Sequence, residues 1–83
     1  MNFEWDQRKN DSNIAKHGVS FEEAKEAFAD PHAVVAFDPD HSTQRELRWW
    51  LLGKVRERVM LVRYTQRPPG IIRIIGAGYW RVG

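Results

Sequence analysis

The sequence predicts an α+β fold: a short N-terminal strand, two helices, then a four-stranded antiparallel sheet. Three observations carry that prediction. Two capped segments with helical features come first, β-branched and aromatic runs broken by turn residues follow, and no repeat, linker or low-complexity stretch divides them. With 83 residues the chain can form a single core, so one domain over 1–83 is expected.

Phe3 and Trp5 read as the short first strand. Asp6 then suits a helix N-cap, because its carboxylate can accept from backbone N–H groups that have no partner within the helix. The helix is expected to run to about Lys16 and to close at Gly18, the residue best able to adopt a left-handed backbone. Ser20 with Glu23 forms a capping box for a second helix, whose apolar stripe is Phe21, Ala24, Ala27 and Phe28. Pro31 after Asp30 stops it. Strands are expected at Ala33–Phe37, Glu46–Leu52, Val59–Thr65 and Ile71–Ile75. The turns between them fall at Asp38–Asp40, around Gly53, and at Pro68–Gly70, while Gly76 and Gly78 end the last strand.

Alternate strand residues point to opposite faces, which sorts the side chains into two sets. Leu47, Trp49, Leu51, Met60, Val62, Tyr64, Ile72 and Ile74 suit a core beneath the helices. Glu46, Arg48, Trp50, Arg63, Thr65 and Arg73 fall on the other, open face, with Val59, Leu61, Ile71 and Ile75 adding apolar area fit for protein contacts. The chain lacks cysteine, so packing rather than disulfides or thiolate metal sites must hold it. With neither a signal-like segment nor a long apolar run, it reads as soluble, cytoplasmic and without membrane contact.

Charge is divided unevenly along the chain. From Thr43 to Gly83 nine bases face two acids, a local charge of +7, whereas Met1 to Ser42 carries four bases and nine acids. Eight of those nine bases are arginine, whose planar fork suits phosphate, so the partner expected on the open face is a polyanion. Arginines with aromatic support on a sheet are the composition on which a nucleic-acid strand can lie.

The run Lys16, His17, Gly18, Val19, Ser20, Phe21, Glu22, Glu23, Ala24, followed by Asp38, Pro39, Asp40, His41 and Ser42, resembles the BrnT family of toxins. The resemblance extends through Phe3–Asp6, Glu46, Arg48, Gly53, Thr65, Arg67 and Ile72–Ile75, nearly the whole chain. It implies a RelE-like fold and a metal-independent ribonuclease that halts translation, with no cofactor. It also implies a BrnA-like antitoxin, operator DNA contacted only through that antitoxin, and a homodimer or heterotetramer in the complex. Gly78 stands where the family usually has arginine, which would reduce activity unless Arg81 supplies the charge.

Cutting RNA without a metal needs a base for the 2′-OH, cations for the phosphate and an acid for the leaving oxygen. Glu46, as the one acid on the expected face, is the candidate base, or else the partner of a cross-strand ion pair with Arg63 or Arg73. Arg48 and Arg73 are the candidate charge stabilisers. His17 joins the catalytic set through its place in the family motif, although a helix C-terminus also favours an imidazolium for structural reasons. Arg63, Thr65, Arg67, Trp80 and Arg81 complete the expected RNA-binding set. Asp38, Asp40 and His41 make a weak metal pattern, and a solvated turn is expected there instead. The competing reading is a non-catalytic module that binds RNA or the antitoxin within a transcriptional autorepressor complex.

Overall fold

Asp6 Oδ1 accepts from the backbone of Arg8 at 2.8 Å and of Lys9 at 3.3 Å, and these bonds start the first helix. The same bonds hold the Asp6 carboxyl below its ordinary range. The computed structural model describes residues 1–81. Strand β1 (Asn2–Glu4) precedes helix α1 (Gln7–His17), which ends at Gly18 with φ 69°. Helix α2 (Phe21–Ala24) is a single α turn capped by Ser20, and Lys25–Ala29 continues it as a 3-10 helix. The second helix expected from the apolar stripe is therefore split. Its tighter half lies on the sheet where Gly53 lacks a side chain, since any Cβ there would run into the Ala27 carbonyl.

Strands β2 (Val34–Phe37), β3 (Arg48–Val55), β4 (Arg58–Arg67) and β5 (Ile71–Tyr79) follow. They form a five-stranded sheet in the order β1-β5-β4-β3-β2, antiparallel except that β1 runs parallel to β5. The expected four-stranded sheet thus gains a fifth strand. Arg56 and Glu57, with φ of 51° and 68°, turn β3 into β4, so Lys54 and Arg58 lie within the strands rather than in the turn.

Two local features shift the expected strand limits. A turn in which Thr43 N donates to the Glu46 carbonyl, and Glu46 N to Thr43 Oγ1, keeps Glu46 and Leu47 out of β3. Leu47 is consequently exposed rather than in the core. A bulge at Arg63/Tyr64 then resets the pairing of β4 with β5: Tyr64 faces Ile74 and Arg63 faces Gly76. Beyond it, Ala77 turns to the core and Gly76 and Gly78 share the face of Arg63, so β5 continues to Tyr79 instead of ending at the glycines.

Val19, Phe21, Ala24 and Ala27 pack on Leu51, Val55, Met60, Val62, Tyr64, Ile72 and Ile74, which is the core side of the sheet. Phe28 links Phe3 and Tyr64, with ring centroids 5.2 and 5.1 Å away. Helix α1 is held differently, since its one buried residue is polar. Asn13 Nδ2 donates to the Val19 and Ala77 carbonyls, each at 2.8 Å, and its Oδ1 accepts from Ala77 N at 3.2 Å. Strand β1 pairs only with Ile71–Arg73, and the Asn13 amide takes over the β5 edge beyond it. Among the described residues no helix is long and apolar enough to cross a membrane.

Candidate nucleic-acid interface

One row of residues crosses four strands on the face opposite the core. Arg48 of β3 pairs with Thr65 of β4, Thr65 with Arg73 of β5, and Arg73 with Glu4 of β1. Around this row three arginines and two glutamates alternate. Glu46 Oε1 receives Arg48 Nε at 2.9 Å, and its Oε2 lies 3.7 Å from Arg67 Nη2. Glu4 Oε2 lies 3.6 Å from Arg67 Nε and receives Arg73 Nη1 at 2.8 Å. All five side chains are between about a quarter and a half exposed, so the network is open to water and to an anionic ligand.

The backbone beneath this network is tied down. Ser42 Oγ accepts from Arg48 N at 2.8 Å and donates to the Asp38 carbonyl at 2.6 Å, anchoring the turn that carries Glu46. Asp38 is buried, and its Oδ2 lies 2.8 Å from His41 Nδ1, so the expected solvated turn is internally bonded. Among the described residues, no three His, Asp or Glu side chains gather as a metal site.

A groove of about 720 Å³ lies on the same face, at the end nearer α1. Gly76 and Gly78 form part of its floor, while His17, Trp50, Arg63, Trp80 and Arg81 stand around it. The Arg63 guanidinium carbon sits 5.5 Å from the Trp50 ring centroid, and a Cβ at Gly76 would come 3.4 Å from that guanidinium. A Cβ at Gly78 would lie 3.9 Å from the His17 ring. Next to these, Tyr79 donates its hydroxyl to Glu23, a bond that pushes its pKa up and keeps the phenol neutral.

The expected site residues therefore separate into two neighbouring groups. Glu46, Arg48, Arg67 and Arg73 meet in the ion network, whereas His17, Arg63, Trp80 and Arg81 meet at the groove. Thr65 sits in the row but is only 2% exposed, and its Oγ1 donates to the Leu47 carbonyl at 2.6 Å. That bond commits the hydroxyl to fastening the Glu46 turn onto β4. Glu46 pairs with Arg48 and Arg67, not with Arg63 or Arg73, because it precedes the strand.

Glu46 is also not the only acid on this face. Glu4 was legible from its neighbours: Phe3 and Trp5 pack against the core, and period two turns the residue between them outward. Ser42 and Asn13 gave no comparable signal, since their roles depend on backbone groups distant in sequence.

Residues 5–82 match the family model described as ribonuclease toxin, BrnT, of type II toxin–antitoxin system. The chain belongs to the BrnT family. Its fold is similar to that of the crystal structure of the Brucella abortus ribonuclease toxin, BrnT, with a TM-score of 0.73 over 99% of each chain and 21% identity. No curated protein matches the sequence. Membership makes this BrnT-family chain a ribonuclease toxin of the type II class, which implies an antitoxin partner.

Proposed function

We propose that this BrnT-family domain, spanning 1–83, is a metal-independent endoribonuclease that cuts RNA on its open sheet face and so inhibits translation. The observation that carries the reading is the network of Arg48, Arg67 and Arg73 around Glu46 and Glu4, spread over adjacent strands. An RNA phosphate entering this network exchanges with the carboxylates for guanidinium contacts. Arg48 and Arg73 then stabilise the charge that develops as the 2′-oxygen attacks phosphorus. Glu46, released from Arg48, accepts the 2′-OH proton as the 5′-oxygen departs with a proton of its own. Water supplies that second proton, because His17 stands beside Gly78, whose β4 partner Leu61 is four residues from Thr65, roughly 13 Å along the strand from this phosphate position.

The physiological inhibitor in this reading is a BrnA-like antitoxin, which also makes the operator contacts. A carboxylate-rich antitoxin segment would engage the same arginines by the same exchange. That possibility supports the second reading, a binding module without catalysis.

Purified protein incubated with total RNA in the presence of a chelator tests the choice. New RNA ends that survive chelation support the nuclease, and their loss on chelation would show that a metal takes part. RNA retention without new ends, weakening as salt rises, supports the binding module.

A further inference from the structure

The two parts of the open face differ in chemistry. Glu4 and Glu46 neutralise much of the ion network, whereas no acid is among the described residues lining the groove. Lys16, Arg63 and Arg81 supply its positive charge, and Trp50 and Trp80 its aromatic surface.

The groove is built rather than incidental. Asn13 clamps its α1 wall to Ala77 through two hydrogen bonds. Trp80 is held by its backbone N–H, which donates to the Val59 carbonyl at 2.7 Å, yet the residue remains 56% exposed. Arg63 lies against Gly76 with Trp50 beside it, which limits where its guanidinium can go. The floor at Gly78 is open because glycine stands there, although its backbone lies within β5 and needs no special φ. Ordinary side chains fit such a strand position, so the glycine leaves space that the fold itself does not require.

We infer that this groove is a nucleobase subsite: it takes one unpaired nucleotide, with the base over Gly78 and against Trp80 and its phosphate at Arg63 and Arg81. The volume suits one nucleotide, falling within the roughly 300–1,000 Å³ common for small-molecule sites. An exposed indole offers the sequence-tolerant stacking that unpaired bases use. The subsite rests on the RNA-binding reading of the face, but it is measurable without any cleavage.

The test is calorimetric titration of the full-length protein with adenosine 5′-monophosphate, ribose 5-phosphate and inorganic phosphate. The nucleotide should bind about tenfold or more tightly than ribose 5-phosphate, as base stacking requires. Gly78→Val, which fills the floor, and Trp80→Ala, which removes the wall, should each lose about tenfold while retaining the wild-type circular dichroism spectrum. Equal affinity for nucleotide and ribose 5-phosphate would overturn the subsite. Undiminished nucleotide binding in both folded variants would do the same. Nucleotide binding without RNA cleavage would uphold the subsite and reject catalysis, and cleavage without preference for the base would do the reverse.

Discussion

Arg73 Nη1 donates to Glu4 Oε2 at 2.8 Å, and this bond spans the parallel pairing of the first and last strands. It joins two parts of the chain that are opposite in charge. The acidic N-terminal half therefore does more than supply the helices behind the sheet. Glu4 restrains Arg67 and Arg73 of the open face, and in the proposed mechanism an RNA phosphate takes its place.

Removing that restraint should strengthen RNA binding. Glu4→Gln frees Arg67 and Arg73 from their shared carboxylate, so affinity for single-stranded RNA should rise severalfold at low salt. The gain should shrink as salt rises. The stability cost should be at most about 1 kcal/mol, because these side chains are partly exposed. Filter-binding titrations at two salt concentrations check this, and unchanged affinity would mean that these arginines do not touch the RNA.

Asn13 should matter more than any apolar residue of α1. Asn13→Leu leaves the Ala77 N–H and the Ala77 and Val19 carbonyls without their side-chain partner, at a cost of about 3 kcal/mol. Urea denaturation reads the loss directly. Ile14→Ala, on the exposed side of the same helix, should change stability by less than about 1 kcal/mol.

Gly53→Ala should destabilise by about 2 kcal/mol, because its Cβ would meet the backbone carbonyl of Ala27 and not a side chain able to move aside. Gly78→Ala provides the contrast. Its Cβ meets only ordinary contact distances, so its melting temperature should stay close to wild type.

Acid should weaken the fold through Asp30. Its carboxylate accepts from the backbone N–H groups of His32 and Lys54, which lower its pKa below the ordinary 3.8. A depressed folded pKa stabilises above 3.8, and that contribution disappears as pH falls from 3.8 through the folded value. Asp30→Asn should therefore lose stability near neutrality and show a shallower decline below about pH 4 than the wild type. Thermal melts across that range decide it.

The legible parts of the fold were the local ones. Asp6, Gly18 and Ser20 act within a few residues of themselves, and each caps its helix as its sequence context predicts, whereas the Glu23 carboxylate accepts from the distant Tyr79 hydroxyl instead of completing the expected capping box. The alternation of Met60, Val62 and Tyr64 likewise identified the core face. Long-range register was not legible: nothing local says that Asn2–Glu4 runs parallel to Ile71–Arg73, or that β4 bulges at Arg63. The candidate site follows the same division. Arg48 and Arg73 could be placed on one face from periodicity, but the partners of Glu46 depend on a turn, and the burial of Thr65 on a carbonyl outside the strand.

The most direct test of the account is the single-turnover cleavage rate of a defined RNA by wild type, Arg48→Ala, Arg73→Ala and Arg56→Ala. Arg56 lies in the β3–β4 hairpin turn, outside the ion network and the groove, and serves as the control. Catalysis by the arginine network predicts losses of about a hundredfold or more for the two face variants and a wild-type rate for Arg56→Ala. No cleavage by the wild type, or equal rates in all four proteins, would contradict it.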